Sequence, residues 1–350
     1  AVARIKINKF LEKAGWRFFD DEKGKANIRL EANVKLKSND LNELGDNFEK
    51  TKNGYVDFLL CDEKGFPIIV LEAKKESLDP LVGKEQARRY ANSQKVRYLI
   101  LSNGNLHSFW DIEKNNPKII TALPSQNSIL NFKEKKPVDI KNLINETIDY
   151  GYIAESQFPN YSLHADYTND KTKGDFIKNN NLKFLRKYQL EAINSLQDSI
   201  KTGDERFLLE MATGTGKTLV SAAIIKLFLK NNCAQRVLFL VDRLELEEQA
   251  WKNFKRYLAK DYDVEIFKRH KDNWQKNNIL VTTTQSLIHQ NKFKDIFSPT
   301  DFDLVISDEA HRSISGNSRA LFEYFQGYKI GLTATPKDYL KNIENLNRYD

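Results

Sequence analysis

Two carboxylates stand side by side at Asp308 and Glu309, directly after the apolar run LVIS that begins at Leu304. A carboxylate at the exit of a buried strand can hold the Mg²⁺ that bridges two phosphates of a nucleotide, and its neighbour can polarise an attacking water. The same pair could instead serve as the acidic first turn of a helix. The run EMATGTGKT from Glu210 to Thr218 favours the first reading. Gly214 and Gly216, set among Thr213 and Thr215, permit the backbone conformations that turn amide N–H groups onto a phosphate, and the helix that follows adds its partial positive charge. Lys217 would reach the β- and γ-phosphates, and Thr218 would ligate Mg²⁺. One position departs from the strict GxxxxGK(S/T) pattern, which has glycine where this chain has Met211.

A second constellation lies near the N-terminus. Asp57 falls in the run YVDFLL, and Glu72 and Lys74 follow the apolar tract that starts at Ile68. Two carboxylates brought together at the ends of neighbouring strands can hold Mg²⁺, and a nearby lysine can orient or help deprotonate the hydrolytic water. That is phosphodiester chemistry. Read alone, the three residues could also form a surface ion pair. Gln86 and Tyr90, one helical turn apart, come next, with Arg88 and Arg89 available either for phosphate contacts or as a solvated helix face.

The elements that must position these groups follow from periodicity. Ile7, Phe10, Leu11 and Ala14 mark one stripe of a helix over residues 5–16, with Gly15 as its stop signal. Strand-length tracts at 55–60, 67–71 and 96–101, with a charged helix at 80–92 between the last two, predict a mixed α/β domain ending near Phe132. From Ile140 the composition turns polar, and residues 166–181 read as an exposed linker. Beyond it, apolar runs at 207–209, 237–241, 279–283, 304–307 and 329–333 alternate with helical segments. They are continuous in Val, Ile, Leu and Phe, which predicts a parallel sheet covered on both faces. The expected domains are therefore residues 1–139, a helical and polar linker at 140–181, and a nucleotide-binding domain at 182–350.

Bulk properties bound the rest. The chain has 350 residues and a net charge of +7, compatible with a phosphate-backbone partner and equally with a solvated basic surface. Cys61 and Cys233 are far apart and lack metal-ligand spacing, which points to a reducing cytoplasm rather than to zinc or disulfides. No apolar run approaches the ~20 residues of a membrane helix, and nothing reads as a secretory signal.

Taken together, the loop, the DEAH sequence from Asp308 to His311, and GLTATP from Gly331 to Pro336 resemble motifs I, II and III of superfamily 2 helicases. The run LRKYQ from Leu185 to Gln189 is similar to that family's adenine-reading motif, which implies ATP as the fuel, with Arg186 and Gln189 at the base and His311 in the site. The segments VDRLELEEQ from Val241 and TTTQS from Thr282 resemble the motifs that grip a strand's phosphates, implying DNA contacts by Arg243, Thr284 and Gln285. Thr333 and Thr335 would couple nucleotide state to movement. Asp57, Glu72, Lys74, Gln86 and Tyr90 resemble the PD-(D/E)xK nuclease core with its QxxxY motif. A nuclease of this type followed by such a motor is similar to the R subunit of type I restriction enzymes, a likeness extended by the first helix and by SNGNLHSFWD from Ser102 to Asp111.

That resemblance implies translocation on double-stranded DNA, Mg²⁺-dependent cleavage away from a recognition site, and methyltransferase and specificity subunits as partners. It also implies a second RecA-like domain, which these residues do not include, so the 350-residue chain is expected to bind ATP and Mg²⁺ but to hydrolyse ATP poorly. A helicase fused to a nuclease in DNA repair or phage defence would share every motif quoted, as would a protein that only binds DNA.

Overall fold

Alternation of apolar residues decides how the first sheet is covered. In β4 (Tyr98–Ser102), Tyr98 and Ile100 pack with Ile7 and Leu11, whereas Leu99 and Leu101 pack with Ala87, Tyr90 and Ala91. The helices Val2–Lys13 and Gln126–Lys133 therefore cover one face of this sheet, and the helix Lys84–Ser93 covers the other. In the computed structural model the sheet has six strands in the order β1 to β6: β1 (Ile28–Lys35), β2 (Asn53–Cys61), β3 (Pro67–Ala73), β4, β5 (His107–Asp111) and β6 (Lys118–Ile120). Among the described strands only β3 and β4 run parallel, so the sheet is mixed, as expected. The structure describes residues 2–35, 53–82, 84–113, 116–133, 137–269, 271, 273–289, 292–310 and 317–334.

The second sheet is wholly parallel, with strands in the order β7, β12, β11, β8, β10, β9. These are β7 (Arg206–Glu210), β8 (Val237–Val241), β9 (Val264–Ile266), β10 (Ile279–Thr283), β11 (Leu304–Ser307) and β12 (Tyr328–Thr333). Every residue of β8, β10 and β11 is buried, which is why those strands read as unbroken apolar runs. The helices Lys187–Lys201, Lys217–Lys230 and Leu244–Leu258 contribute to the same core.

Two compact units result, 1–134 with 297–301 and 135–296 with 302–350. The stretch expected as a linker belongs to the second unit. Helices Ala165–Thr168 and Lys173–Asn179 occupy the part read as exposed, and Tyr161, Tyr167, Phe176 and Leu182 bury against one another there. Its polar composition hid this because a few aromatic rings, rather than a periodic stripe, make the core. Among the described residues no helix is long and apolar enough to cross a membrane.

Candidate functional site

A parallel sheet gathers its strand exits along one edge, and the loops there can converge on a ligand. In the second unit those exits carry the motifs picked out by sequence. The phosphate-type loop follows β7 and runs into the helix Lys217–Lys230. Gly214 and Gly216 have φ of +77° and +88°, the left-handed region where a side chain is strained. A Cβ on Gly216 would lie 2.6 Å from Gln189 Nε2, so a side chain there would have to displace that amide. Met211 needs no glycine: its φ is not positive, it is buried, and its N–H donates to the Thr333 carbonyl at 2.8 Å, extending the β7–β12 pairing.

Gln189 lies beneath this loop. It is 2% exposed, its Nε2 donates to the Thr215 carbonyl at 2.8 Å, and its Oε1 accepts from the Arg186 N–H at 2.8 Å. Tyr188 adds a hydroxyl bond to the same Thr215 carbonyl at 2.7 Å. Both residues of the sequence LRKYQ that hold the loop were legible as a motif; that they brace Thr215 was not, since the contact spans 26 positions.

The carboxylates meet the loop directly. Lys217 Nζ donates to Glu309 Oε1 at 2.8 Å across 92 positions of sequence. Glu309 sits at φ +53°, an uncommon conformation for a residue with a side chain, which costs on the order of 1–3 kcal/mol. Its N–H donates to Asp308 Oδ1 at 3.0 Å, and the Asp308 N–H donates to the Leu240 carbonyl at 2.9 Å. Burial raises the Asp308 pKa above the ordinary carboxylate value; Glu309 adds to that rise, while the Lys217 charge and the backbone N–H oppose it. A carboxylate so placed fits a cation, which would restore its charged form, and Thr218 at the helix start is within the same loop. Thr333, fully buried, ends β12 opposite Glu210 of β7.

At the exits of β8 and β10, Arg243 is exposed and 3.7 Å from Asp242, and Gln285 is exposed. Thr284 is buried, and its hydroxyl reaches the Val241 carbonyl at 3.3 Å, tying the two exits together. The buried Glu247, which motif reading passed over, accepts from the Thr283 N–H at 2.9 Å. Asp242, Arg243, Glu245, Leu246 and Glu309 line one open depression on this edge. His311 and Thr335 lie outside the described residues.

In the first unit, Phe58 of β2 pairs with Leu71 of β3 in antiparallel register, which makes Asp57 and Glu72 the next positions along the two strands. Asp57 thus lies inside β2 rather than at its end, because pairing with β1 extends β2 back to Asn53. Glu72 is 8% exposed and accepts from Lys74 Nζ at 2.8 Å. Tyr90 is buried with Leu59, Val70 and Leu99 beneath the sheet, and Gln86 lies on the same helix. The side chains of Asp57 and Gln86 are outside the described residues, and among the described ones no three His, Cys, Asp or Glu form a metal-type cluster.

The second unit is thus a helicase-type nucleotide-binding domain, carried in one chain with a mixed sheet that bears an acidic and basic strand site. Family comparison agrees: residues 182–338 match the type III restriction enzyme res subunit, and residues 23–125 match the type I restriction enzyme R protein N terminus. The endonuclease subunit of the type I restriction enzyme EcoAI from Escherichia coli is 30% identical over 81% of this chain and 33% of its own length. The EcoKI endonuclease subunit from E. coli K12 is 33% identical over 43% of this chain and 15% of its own. A Staphylococcus saprophyticus type I endonuclease subunit is 24% identical over 78% and 29%. Both parts of the chain are thus similar to subunits of restriction enzymes, and most of its length to type I endonuclease subunits. The chain spans about a third or less of the length of these relatives.

Proposed function

We propose that the chain carries the nuclease and ATP-binding parts of a type I restriction endonuclease, which moves on double-stranded DNA at the expense of ATP and cuts it away from its recognition site. The meeting of Lys217 with Glu309 at 2.8 Å carries this reading for the motor half, because it brings the loop and the strand-end carboxylates to one point. In this proposal the loop amides from Thr213 to Thr218 and Lys217 bind the phosphates, Arg186 and Gln189 set the base side of the site, and Thr218 and Asp308 hold Mg²⁺. Glu309 turns from Lys217 to take the proton of the attacking water. His311 belongs to the ATP site, Thr333 and Thr335 pass the nucleotide state on, and Arg243 and Gln285 contact DNA phosphates over an edge fixed by Thr284.

In the nuclease half, Asp57 and Glu72 would hold Mg²⁺, which when bound supplies positive charge against the scissile phosphate. Lys74, now paired to Glu72, orients and helps deprotonate the hydrolytic water. Gln86 contacts DNA, while the buried Tyr90 acts by setting its helix against the sheet. The partners are double-stranded DNA and, in the cytoplasm, methyltransferase and specificity subunits.

The test uses the full-length protein with those subunits, a covalently closed plasmid bearing the recognition site, ATP and Mg²⁺. Lys74→Ala is expected to abolish cutting while ATP hydrolysis continues, and Lys217→Ala to abolish both. Cutting that survives Lys74→Ala, or that proceeds without ATP, would refute the proposal.

A further inference from the structure

At Lys74 the chain has left β3, and a different segment dictates its path. The Lys74 N–H donates to the Ser102 carbonyl at 2.7 Å, one step beyond the last β3–β4 pair, Ala73 with Ser102. The next residue, Asn103, is 4% exposed, and its carboxamide is fully engaged. Nδ2 donates to the Leu78 carbonyl at 2.8 Å and more weakly to the Glu76 carbonyl at 3.4 Å. Oδ1 accepts from the N–H groups of Asn105 at 3.0 Å and Leu106 at 2.8 Å. One side chain therefore builds the β4–β5 turn with its acceptor and fastens the segment after Lys74 with its donor.

The turn itself is held from the other side. Gly104 has φ +86°, and a Cβ there would approach the Ala3 Cα to 3.0 Å, so only glycine lets the turn seat against the first helix. Lys6 from that helix donates to Asn105 Oδ1 at 2.8 Å and is ion-paired to Glu76. Inside the turn, Ser102 Oγ accepts from the Gly104 N–H at 3.0 Å and is hydrogen-bonded to His107 Nδ1 at 2.7 Å. A buried amide that loses its partners is costly, which makes this arrangement stiff.

The geometry points to Asn103 as a positioning residue of the nuclease: by clamping the Glu76 and Leu78 carbonyls it fixes where the chain turns after Lys74, and so where the Lys74 amine stands relative to Glu72. The inference rests on the nuclease reading above. It assigns a role to the SNGN turn, which no catalytic motif includes, and the role depends on the Nδ2 donor alone.

Asn103→Asp separates the two halves of that side chain. It keeps an acceptor for the Asn105 and Leu106 N–H groups, so the turn survives, but it sets a carboxylate oxygen against two carbonyl oxygens and releases the segment. Displacement of a reacting group by about 1 Å can cost on the order of 10²-fold in rate. In the full-length protein with its partner subunits, Asn103→Asp is expected to slow single-turnover plasmid cutting by roughly 10- to 100-fold. ATP hydrolysis should stay within about twofold of the parent, since no residue of the second unit is altered.

A pH series adds a readout that general destabilisation would not produce. Protonation of the introduced carboxylate restores a donor where the Asn103 amide stood, and burial against the Glu76 and Leu78 carbonyls favours that protonation, so the ratio of variant to parent cutting rate should climb as the pH is lowered. Parental cutting by Asn103→Asp, loss of cutting and ATP hydrolysis together, or a ratio independent of pH would each overturn the positioning role. Lys74→Ala measured alongside separates the two claims. If it also cuts, the nuclease reading falls; if it is inactive while Asn103→Asp cuts normally, only the role of Asn103 falls.

Discussion

Lys217 cannot hold Glu309 and a nucleotide's phosphates with the same geometry, so the 2.8 Å ion pair competes with ATP. A net contribution of about 1.5–3 kcal/mol is ordinary for a hydrogen bond to a charged group, against about 1 kcal/mol for the neutral one that a glutamine oxygen would keep. Glu309→Gln should therefore release about 0.5–2 kcal/mol to binding, tightening ATP by roughly 2- to 30-fold, while hydrolysis falls because no base remains. Loss of a negative charge beside the phosphates acts in the same direction, so a second variant is needed. Glu309→Asp keeps the charge but shortens the arm, and aspartate tolerates the φ of +53° at this position. Isothermal titration of ATP with Mg²⁺ into the parent and both variants measures the effect. Tighter binding by both supports the competition; tighter binding by Glu309→Gln alone would assign the effect to repulsion, and unchanged or weaker binding by both would refute the reasoning.

Gly216→Ala should abolish ATP binding with little change in circular dichroism, because left-handed backbone costs roughly 1–2 kcal/mol and the added Cβ, 2.6 Å from Gln189 Nε2, drives that amide off Thr215. Gly331→Ala places a methyl 2.8 Å from Ala310 Cβ, and overpacking of about 1–3 kcal/mol should appear as a lower thermal midpoint of the second unit. His107, whose pKa burial lowers from 6.5 to about 4, is neutral in the folded protein. The unfolded chain takes up a proton near pH 6.5 that the folded one refuses, so stability present above that pH is lost progressively down to about pH 4, by on the order of 3 kcal/mol. Denaturant midpoints of the first unit at pH 7 and pH 5, compared with His107→Phe, check this; the variant should lose that share of the pH dependence.

Legibility in the sequence followed burial. The runs at 237–241, 279–283 and 304–307 correspond residue for residue to β8, β10 and β11, because strands buried on both faces must be apolar throughout. The expected five-strand sheet lacked β9, a three-residue edge strand too short to register as a run. β1, β5 and β6 were missed for a related reason: HSFWD and IRLEANVK mix polar with apolar residues, and their pairing partners, rather than their own composition, make them strands. Glu247 and Asn103 fall inside quoted segments, but their roles were not legible, since what a buried polar residue does is revealed only by the backbone groups that it satisfies.

By itself the sequence determined which groups could do chemistry: a glycine loop ending in Lys217, the carboxylates at 308 and 309, and the Glu72 and Lys74 pair. Those are local patterns, fixed by residue type and by spacing along a strand or a turn. Tertiary structure alone decided which of them meet. β12 is the last strand among the described residues, yet it pairs between β7 and β11, and so it places Thr333 between the strand that feeds the phosphate loop and the strand that leads into Asp308. Strand order depends on how helices cover a sheet and on loops closed over many residues, quantities that no short window of sequence contains.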